Sequence, residues 1–449
     1  MEPGPRTGEA WGQASSATPC MKLVLAAGYE LLKRRPAVWP ASEAGGTVGA
    51  RHAGTLTSEA AESRECPAKG SWFLPQPSPI MNRKIAGPIA LLALAVTLAC
   101  SGADVAGSEP HARLVLTDSI VLEQGDSNFL ARPSAILADA EGYWVADMNL
   151  GNLRRYDREG GYERTMGRKG SGPGEFGSPF RLASAGTDRL MVLDMGDFSA
   201  VGVDTRDGTH AFRHSLGGMF FGTSMHVSGD SLLLGGLRMG SMGEAGFSSA
   251  DAGLWLDVSS GVVTSAAQAP EGTANMMPSF EFASIVKLND GVLALWPALN
   301  YARLHRWDGT EADLIIPAHT RPLPPGDLQE QLMSRKLTAP EAWTMLTIPW
   351  ATGSLSNGDA ALVNLAFTLR PEEGLSATGA FVSVLRAGAD SACVDAPLQL
   401  LSEEMPVVAF HGDTLLTLDQ VVQGEDALVM VRRFAIDTDA CEWLPMVKN

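Results

Sequence analysis

The chain has 449 residues, 45% of them hydrophobic and 19% charged, with 34 Lys+Arg against 51 Asp+Glu. That composition is globular rather than disordered. The acidic excess repels phosphate backbones, so nucleic acid is excluded as an expected partner.

Residues 1–80 stand apart: they are rich in Ala, Gly, Pro, Ser and Arg, and no apolar period persists beyond Leu23–Leu32. From Met81 the sequence reads MNRKIAGPIALLALAVTLACSG. Arg83 and Lys84 form a charged n-region, Ile85–Leu98 an apolar h-region, and Ala99 a small residue before Cys100. An h-region of that length is too short to span a bilayer, which takes about 20 apolar residues. Export signals are read at an N-terminus, so Met81 is the expected initiator. Residues 81–99 are then a signal peptide and 1–80 an extension from an upstream start. N-terminal sequencing of the native protein checks this.

Thr97-Leu98-Ala99-Cys100 resembles the lipobox of bacterial lipoproteins, with Thr97 where Leu is usual. The resemblance implies cleavage before Cys100 and acylation of that cysteine. Several acyl chains on one residue anchor firmly, where a single chain binds marginally. Ser101, rather than Asp, favours the outer membrane by analogy with enterobacterial sorting. Residues 100–112 form a small, polar tether. The part beyond residue 99 holds 24 basic and 44 acidic side chains, a net charge near −20.

From residue 113 onward the chain is a sequence of short strands closed by Asp/Gly turns, repeated at blade length. Unit one, Arg132–Phe176, predicts strands at Ser134–Ala138, Tyr143–Asp147, Leu153–Tyr156 and Tyr162–Met166. Unit two repeats them at Phe180–Ser184, Leu190–Asp194, Ala200–Asp204 and His210–His214. Unit three has Ser224–Ser228, Ser231–Gly235, Leu254–Val258 and Val262–Gln268, with a Gly/Ser/Met insert at Gly236–Ala252. Unit four has Ser284–Leu288, Val292–Trp296, Ala302–Trp307 and Ala312–Ile316. Its Asn289-Asp290-Gly291 and Asp308-Gly309 supply hairpin turn positions. Unit five has Gly353–Leu355, Ala360–Leu369, Gly379–Ala387 and Cys393–Leu400. Unit six has Pro406–Phe410, Thr414–Asp419, Ala427–Ile436 and Cys441–Pro445. Six units of four strands predict an all-β, six-bladed propeller spanning residues 113–449. The spare strand Arg113–Leu122 is expected to meet the end of the chain and close the ring. Between units four and five, Asp327–Leu337 and Pro340–Leu346 are predicted as short helices, the second behind the capping box Thr338-Ala-Pro-Glu341.

GRKGSGPGEFGSP (Gly167–Pro179), preceded by WVADMNLGNLRRYD, resembles the NHL-type six-bladed propellers of bacterial lipoproteins. Those show a G-x-G-x-G-P-G-E-F link and a V-x-D-x-x-N-x-R-[IV]-x-x-[FY] strand pair. The match covers about 50 residues. It implies a fold and a cell-envelope address, and no reaction.

Candidate chemistry is sparse. Gly167, Gly170, Gly172 and Gly174 beside Arg168 and Lys169 suggest a phosphate loop, but a helix N-terminus should follow one and here a strand does. Close-packed backbone at a blade crossing is the better account. Asp147, Asn149, Asn152, Asp194, Asp197 and Asp419 recur just after second strands, where a ring of carboxylates would suit calcium. The competing role is to satisfy turn amides. The histidines are scattered with no metal spacing, and no G-x-S-x-G elbow is present. Cys393 and Cys441 precede the last strands of units five and six. An exported protein permits a disulfide. Equivalent outer strands of neighbouring blades, however, lie more than ~10 Å apart, whereas a bridge needs Cα atoms within about 7 Å. Only a departure from blade symmetry would allow it, and the pairing stays open.

The expected function is therefore that of an envelope-anchored, non-catalytic binding or scaffold module for a protein, peptide or glycan. Met239, Met242, Phe247, Trp343 and Trp350 are its candidate contacts. The alternative is a calcium-assisted hydrolase or lyase at the channel mouth.

Overall fold

The computed structural model describes residues 111–448 apart from 126–127, 240–241, 244–245, 248–250, 269–282, 297–298, 335, 337–338, 371–373, 402–405 and 424–425. The expectations for Met81, the signal segment and Cys100 lie outside the described residues.

Six antiparallel sheets follow one another along the chain. Blade 1 is built from β2 (Pro133–Ala138), β3 (Gly142–Asp147), β4 (Asn152–Asp157) and β5 (Tyr162–Met166). Blade 2 is β6 (Pro179–Ser184), β7 (Arg189–Asp194), β8 (Ser199–Asp204) and β9 (His210–Ser215). Blade 3 is β10 (Met219–Ser228), β11 (Ser231–Met239), β14 (Asp251–Asp257) and β15 (Val263–Gln268). The insert between its second and third strands carries a minimal hairpin, β12 (Met242–Gly243) with β13 (Gly246–Phe247). Blade 4 is β16 (Ser284–Lys287), β17 (Gly291–Trp296), β18 (Tyr301–Arg306) and β19 (Glu311–Ile315). Blade 5 is β20 (Thr347–Ser354), β21 (Ala360–Arg370), β22 (Gly374–Leu385) and β23 (Ser391–Leu398). Blade 6 contains β24 (Val407–His411), β25 (Thr414–Gln423) and β26 (Asp426–Asp437). The first strands of successive blades touch in cyclic order, and that of blade 6 returns to that of blade 1.

No blade can bury both faces alone; each hides its apolar residues against its neighbours. Six hydrophobic clusters result, one at each seam. Trp144, Leu153 and Phe176 of blade 1 meet Val192 and Val201 of blade 2, and Tyr143 and Tyr156 meet Leu418 and Val431 of blade 6. The expected helices are present but short: α1 (Leu328–Met333) and α2 (Ala339–Trp343). Leu328 and Ala342 are buried in the seam between blades 5 and 6.

Ring closure differs from the expectation in one respect. The outer strand of blade 6 is β1 (Arg113–Leu122), paired antiparallel with β26 from Arg113↔Asp437 to Leu122↔Val429. Cys441–Pro445 is therefore not a blade-6 strand. The place is filled from the N-terminal side, and the last residues run on across the outside. β27 (Leu444–Pro445) adds to β23 of blade 5 and β28 (Val447–Lys448) adds to β19 of blade 4. This rerouting brings Cys441 to Cys393, with Cα atoms 6.0 Å apart, and the two form a disulfide. The symmetric argument against the bridge fails because Cys441 lies outside the blade repeat.

Candidate functional site: the axial channel mouth

In an up-and-down blade, the turns between second and third strands share one face of the ring with the links between blades. That face carries the blade-3 insert, the α1–α2 segment and the long hairpins β21–β22 and β25–β26. Its links also start the innermost strands, whose axial edges have carbonyls no ladder satisfies.

Side chains satisfy them instead. Ser134 Oγ donates to the Pro179 carbonyl at 2.7 Å, crossing from blade 1 to blade 2. Arg181 Nε donates to the Thr223 carbonyl at 3.1 Å, and Thr223 Oγ1 to the Ala283 carbonyl at 3.0 Å. Ser284 Oγ donates to the Pro349 carbonyl at 2.8 Å, and Trp350 Nε1 to the Pro406 carbonyl at 2.9 Å. Five consecutive seams are thus stapled at one level, next to the links.

Three of these residues, Ser134, Thr223 and Trp350, share an origin, and Arg181 follows an equivalent position. The first-strand register shifts between Pro133 and Ala135, Pro179 and Arg181, Gly222 and Ser224, and Pro349 and Ala351. Ser134, Phe180, Thr223 and Trp350 are the extra residues of four β-bulges at one position. A bulge re-aims its side chain out of the pleat, and here Ser134, Thr223 and Trp350 reach the next blade. The Phe180 and Trp350 rings meet edge to face, centroids 6.4 Å apart. The Arg181 guanidinium lies 4.1 Å from the Phe180 ring centre and 5.0 Å from that of Trp350. Its Nη2 reaches the Trp350 carbonyl at 3.4 Å, joining blade 2 to blade 5 on the opposite side of the ring. The channel is plugged at this level.

Below the plug, His226 Nε2 lies 3.1 Å from the Ile285 carbonyl and 2.9 Å from Thr352 Oγ1. A carbonyl only accepts, so Nε2 carries the proton. Burial pulls this imidazole down to about 4 from its ordinary 6.5, and burial lowers His210 as well. Below pH 6.5 the unfolded chain binds the His226 proton first, so stability falls as pH drops from 6.5 toward 4. The share due to His226 is at most ~3 kcal/mol. His226→Gln, which keeps a donor for Ile285, is expected to flatten the fall in melting temperature over that window. An unchanged slope would contradict the assignment.

The aspartates proposed for a metal ring are engaged by their own turns and by arginines. Asp147 Oδ2 accepts the Ala131 and Arg132 amides at 2.6 and 3.0 Å, and Oδ1 those of Asn149 and Leu150 at 3.0 and 2.9 Å. Asp194 does the same in blade 2 for Gly177, Ser178 and Gly196 at 2.8, 2.6 and 2.9 Å. Asp197 accepts from Ser199 Oγ at 2.5 Å and pairs with Arg213. Asp419 is buried against Arg432. Asn149 is exposed at its turn, and Asn152 is buried in β4 with Oδ1 unbonded. Each aspartate ties down its own blade, and among the described residues no three His, Cys, Asp or Glu side chains gather to hold a metal.

The Gly-rich link is close-packed backbone. Glu175 folds back onto Arg168 at 2.8 Å and the Gly172 amide at 2.9 Å, while the Gly170 amide bonds the Phe176 carbonyl at 3.1 Å. A Cβ on Gly167 would lie 2.5 Å from the buried Phe176 ring. Of the predicted contacts, Trp350 is in the mouth, whereas Trp343 packs edge to face on Phe367 at 5.9 Å. Met239, Met242 and Phe247 lie in β11, β12 and β13, and their side chains are outside the described part. Sequence reasoning missed Arg181. Its signal is a basic residue inside a first strand, at the register position where blade 1 has Ala135.

No protein-family model and no curated protein sequence matches the chain. Among solved structures it is similar to a protein described as exported from Bacteroides fragilis: 14% identity, TM-score 0.49, 72% of this chain and 95% of that one. It is also similar to a member of the DUF4221 family from Bacteroides vulgatus: 10% identity, TM-score 0.48, 73% and 99% covered. Virginiamycin B lyase from Staphylococcus aureus aligns at 12% identity with TM-score 0.41, over 72% and 99%. The six-bladed ring is established by the strand pairing of this chain itself.

Proposed function

We propose that the protein is an exported, lipid-anchored propeller of the bacterial envelope that acts by binding, with the channel mouth as its site. The lipobox-like Cys100, the NHL-like link and the acidic domain motivate the address, and the Cys393–Cys441 bridge suits an oxidising compartment. The observation that carries the binding role is the plugged mouth. Bulges at Phe180 and Trp350 bring these rings together with Arg181 on the face that also bears the blade-3 insert and the α1–α2 segment. Loops around a rigid scaffold are where recognition concentrates, and an aromatic–cation cluster is a recognition surface. The aspartates around it hold backbone amides and arginines, which favours a scaffold role for them over metal-assisted hydrolysis or lysis.

Native mass spectrometry of protein released gently from envelopes tests this, with Trp350→Ala as the control. The wild type is expected to retain a stoichiometric protein, peptide or glycan that the variant loses, and millimolar calcium should leave the melting temperature unchanged. A stoichiometric metal and a calcium-induced rise in melting temperature would contradict the reading.

A further inference from the structure

Arg181, like the buried Arg154, lacks among the described residues the carboxylate partner that other enclosed arginines have. Arg155 has Asp139 at 2.8 Å, Arg321 has Asp395 at 3.0 Å and Arg432 has Asp419 at 2.8 Å. Among the described residues Arg181 has only carbonyls: Thr223 at 3.1 Å, Phe180 at 3.2 Å and Trp350 at 3.4 Å. These hydrogen bonds leave two of a guanidinium's five N–H groups unspent. They also leave its charge without a carboxylate among the described residues, in a partly enclosed site where an unpaired ion is costly. Burial lowers it to about 10, so it stays protonated at neutral pH. Phe180 and Trp350 lie close to the guanidinium, 4.1 and 5.0 Å from ring centre to Cζ, and supply an aromatic wall beside the charge.

On the reading that the mouth is the binding site, we infer that Arg181 is its anchor for the carboxylate of a singly charged organic acid whose apolar body lies against Phe180 and Trp350. A carboxylate matches a guanidinium fork with two parallel hydrogen bonds. One cation with no second beside it among the described residues fits a monoanion better than a phosphate. The net charge of −17 also opposes accumulation of polyanions. The carboxylate has two sources, a free small acid or the C-terminus of a peptide, and the chemistry at Arg181 is common to both.

The test is a titration followed by intrinsic tryptophan fluorescence at constant ionic strength. The probes are benzoate, its uncharged counterpart benzamide, inorganic phosphate, and one short peptide ending in Phe with a free or an amidated C-terminus. Saturable binding of benzoate or the free-acid peptide is expected, at least about tenfold tighter than benzamide, the amidated peptide or phosphate. Benzoate binding with no peptide binding assigns the site to small acids, and the reverse to chain termini. Arg181→Gln should weaken the preferred probe about ten- to hundredfold. Arg181→Lys, which keeps the charge and loses the fork, should recover part of it and so exclude misfolding as the cause. Trp350→Phe should remove most of the fluorescence change. Equal binding of acid and amide, or of wild type and Arg181→Gln, overturns the role of Arg181 while leaving the mouth as a site. If no probe binds the wild type although Trp350→Ala still releases a native partner, the carboxylate assignment fails and the binding face stands. If that partner is also unaffected, both fail.

Discussion

Replacing Arg432 by Met is expected to lower unfolding free energy by about 3–5 kcal/mol, because it leaves Asp419 charged and buried without its partner. Arg432 Nε and Nη2 lie 2.8 and 3.2 Å from the Asp419 carboxylate, and Nη2 also donates to the Gln399 carbonyl at 2.8 Å. The two side chains are 6% and 3% exposed, so solvent screens the pair little. Thr417 Oγ1 supplies a further donor to Asp419 at 2.7 Å. The pair sits on β25 and β26, which carry the closing strand β1, so its loss is felt where the ring is sealed. Buried pairs are costly to desolvate, and an apolar replacement of both members is often tolerated. The double variant Asp419→Leu/Arg432→Met should therefore be more stable than Arg432→Met alone in urea denaturation. If the single variant loses less than about 1 kcal/mol, the pair is not held as described.

Cys441→Ser is expected to lower stability by about 2–4 kcal/mol, through the loss of a cross-link that closes a loop of 48 residues. The tail beyond the bridge has little else to hold it. Leu444–Pro445 and Val447–Lys448 make two-residue pairings on outer edges, Met446 is buried between blades 4 and 5, and Trp443 stacks on Arg386 at 3.7 Å. Reducing agent should destabilise the wild type by the same amount and leave Cys441→Ser unchanged. Hydrogen exchange in the variant should show β19 and β23 amides losing protection. A wild type indifferent to reductant would contradict the bridge.

Much of this fold was legible because its physics is local and repeated. Alternating apolar strands and Asp/Gly turns mark each blade, and Asp147 and Asp194 end equivalent strands and bind equivalent amides. The same turn takes Gly151 at φ 62° in blade 1 and Phe198 at φ 53° in blade 2, a substitution that hides the repeat from a motif search. Ring closure was half legible. The spare strand β1 was evident, but nothing local says that it displaces Cys441–Pro445 from blade 6. That outcome depends on a pairing across more than 300 residues. The disulfide was left open for the same reason. The mouth was least legible: a β-bulge adds one residue without a composition signal, so Phe180 reads as an ordinary strand residue. Trp350, though named as a contact, falls before the predicted first strand of unit five. Arg181 gains its meaning only when blades 2 and 5 face each other.

The central claim is that this propeller works through one face, the one around Phe180, Arg181 and Trp350. A photoreactive benzoylphenylalanine placed at Phe180, and separately at Trp307 in the exposed turn of the opposite face, tests it in intact envelopes. Adducts from position 180 and none from position 307 are the predicted result. Adducts from position 307 alone would place the working surface on the other side of the ring and contradict the account.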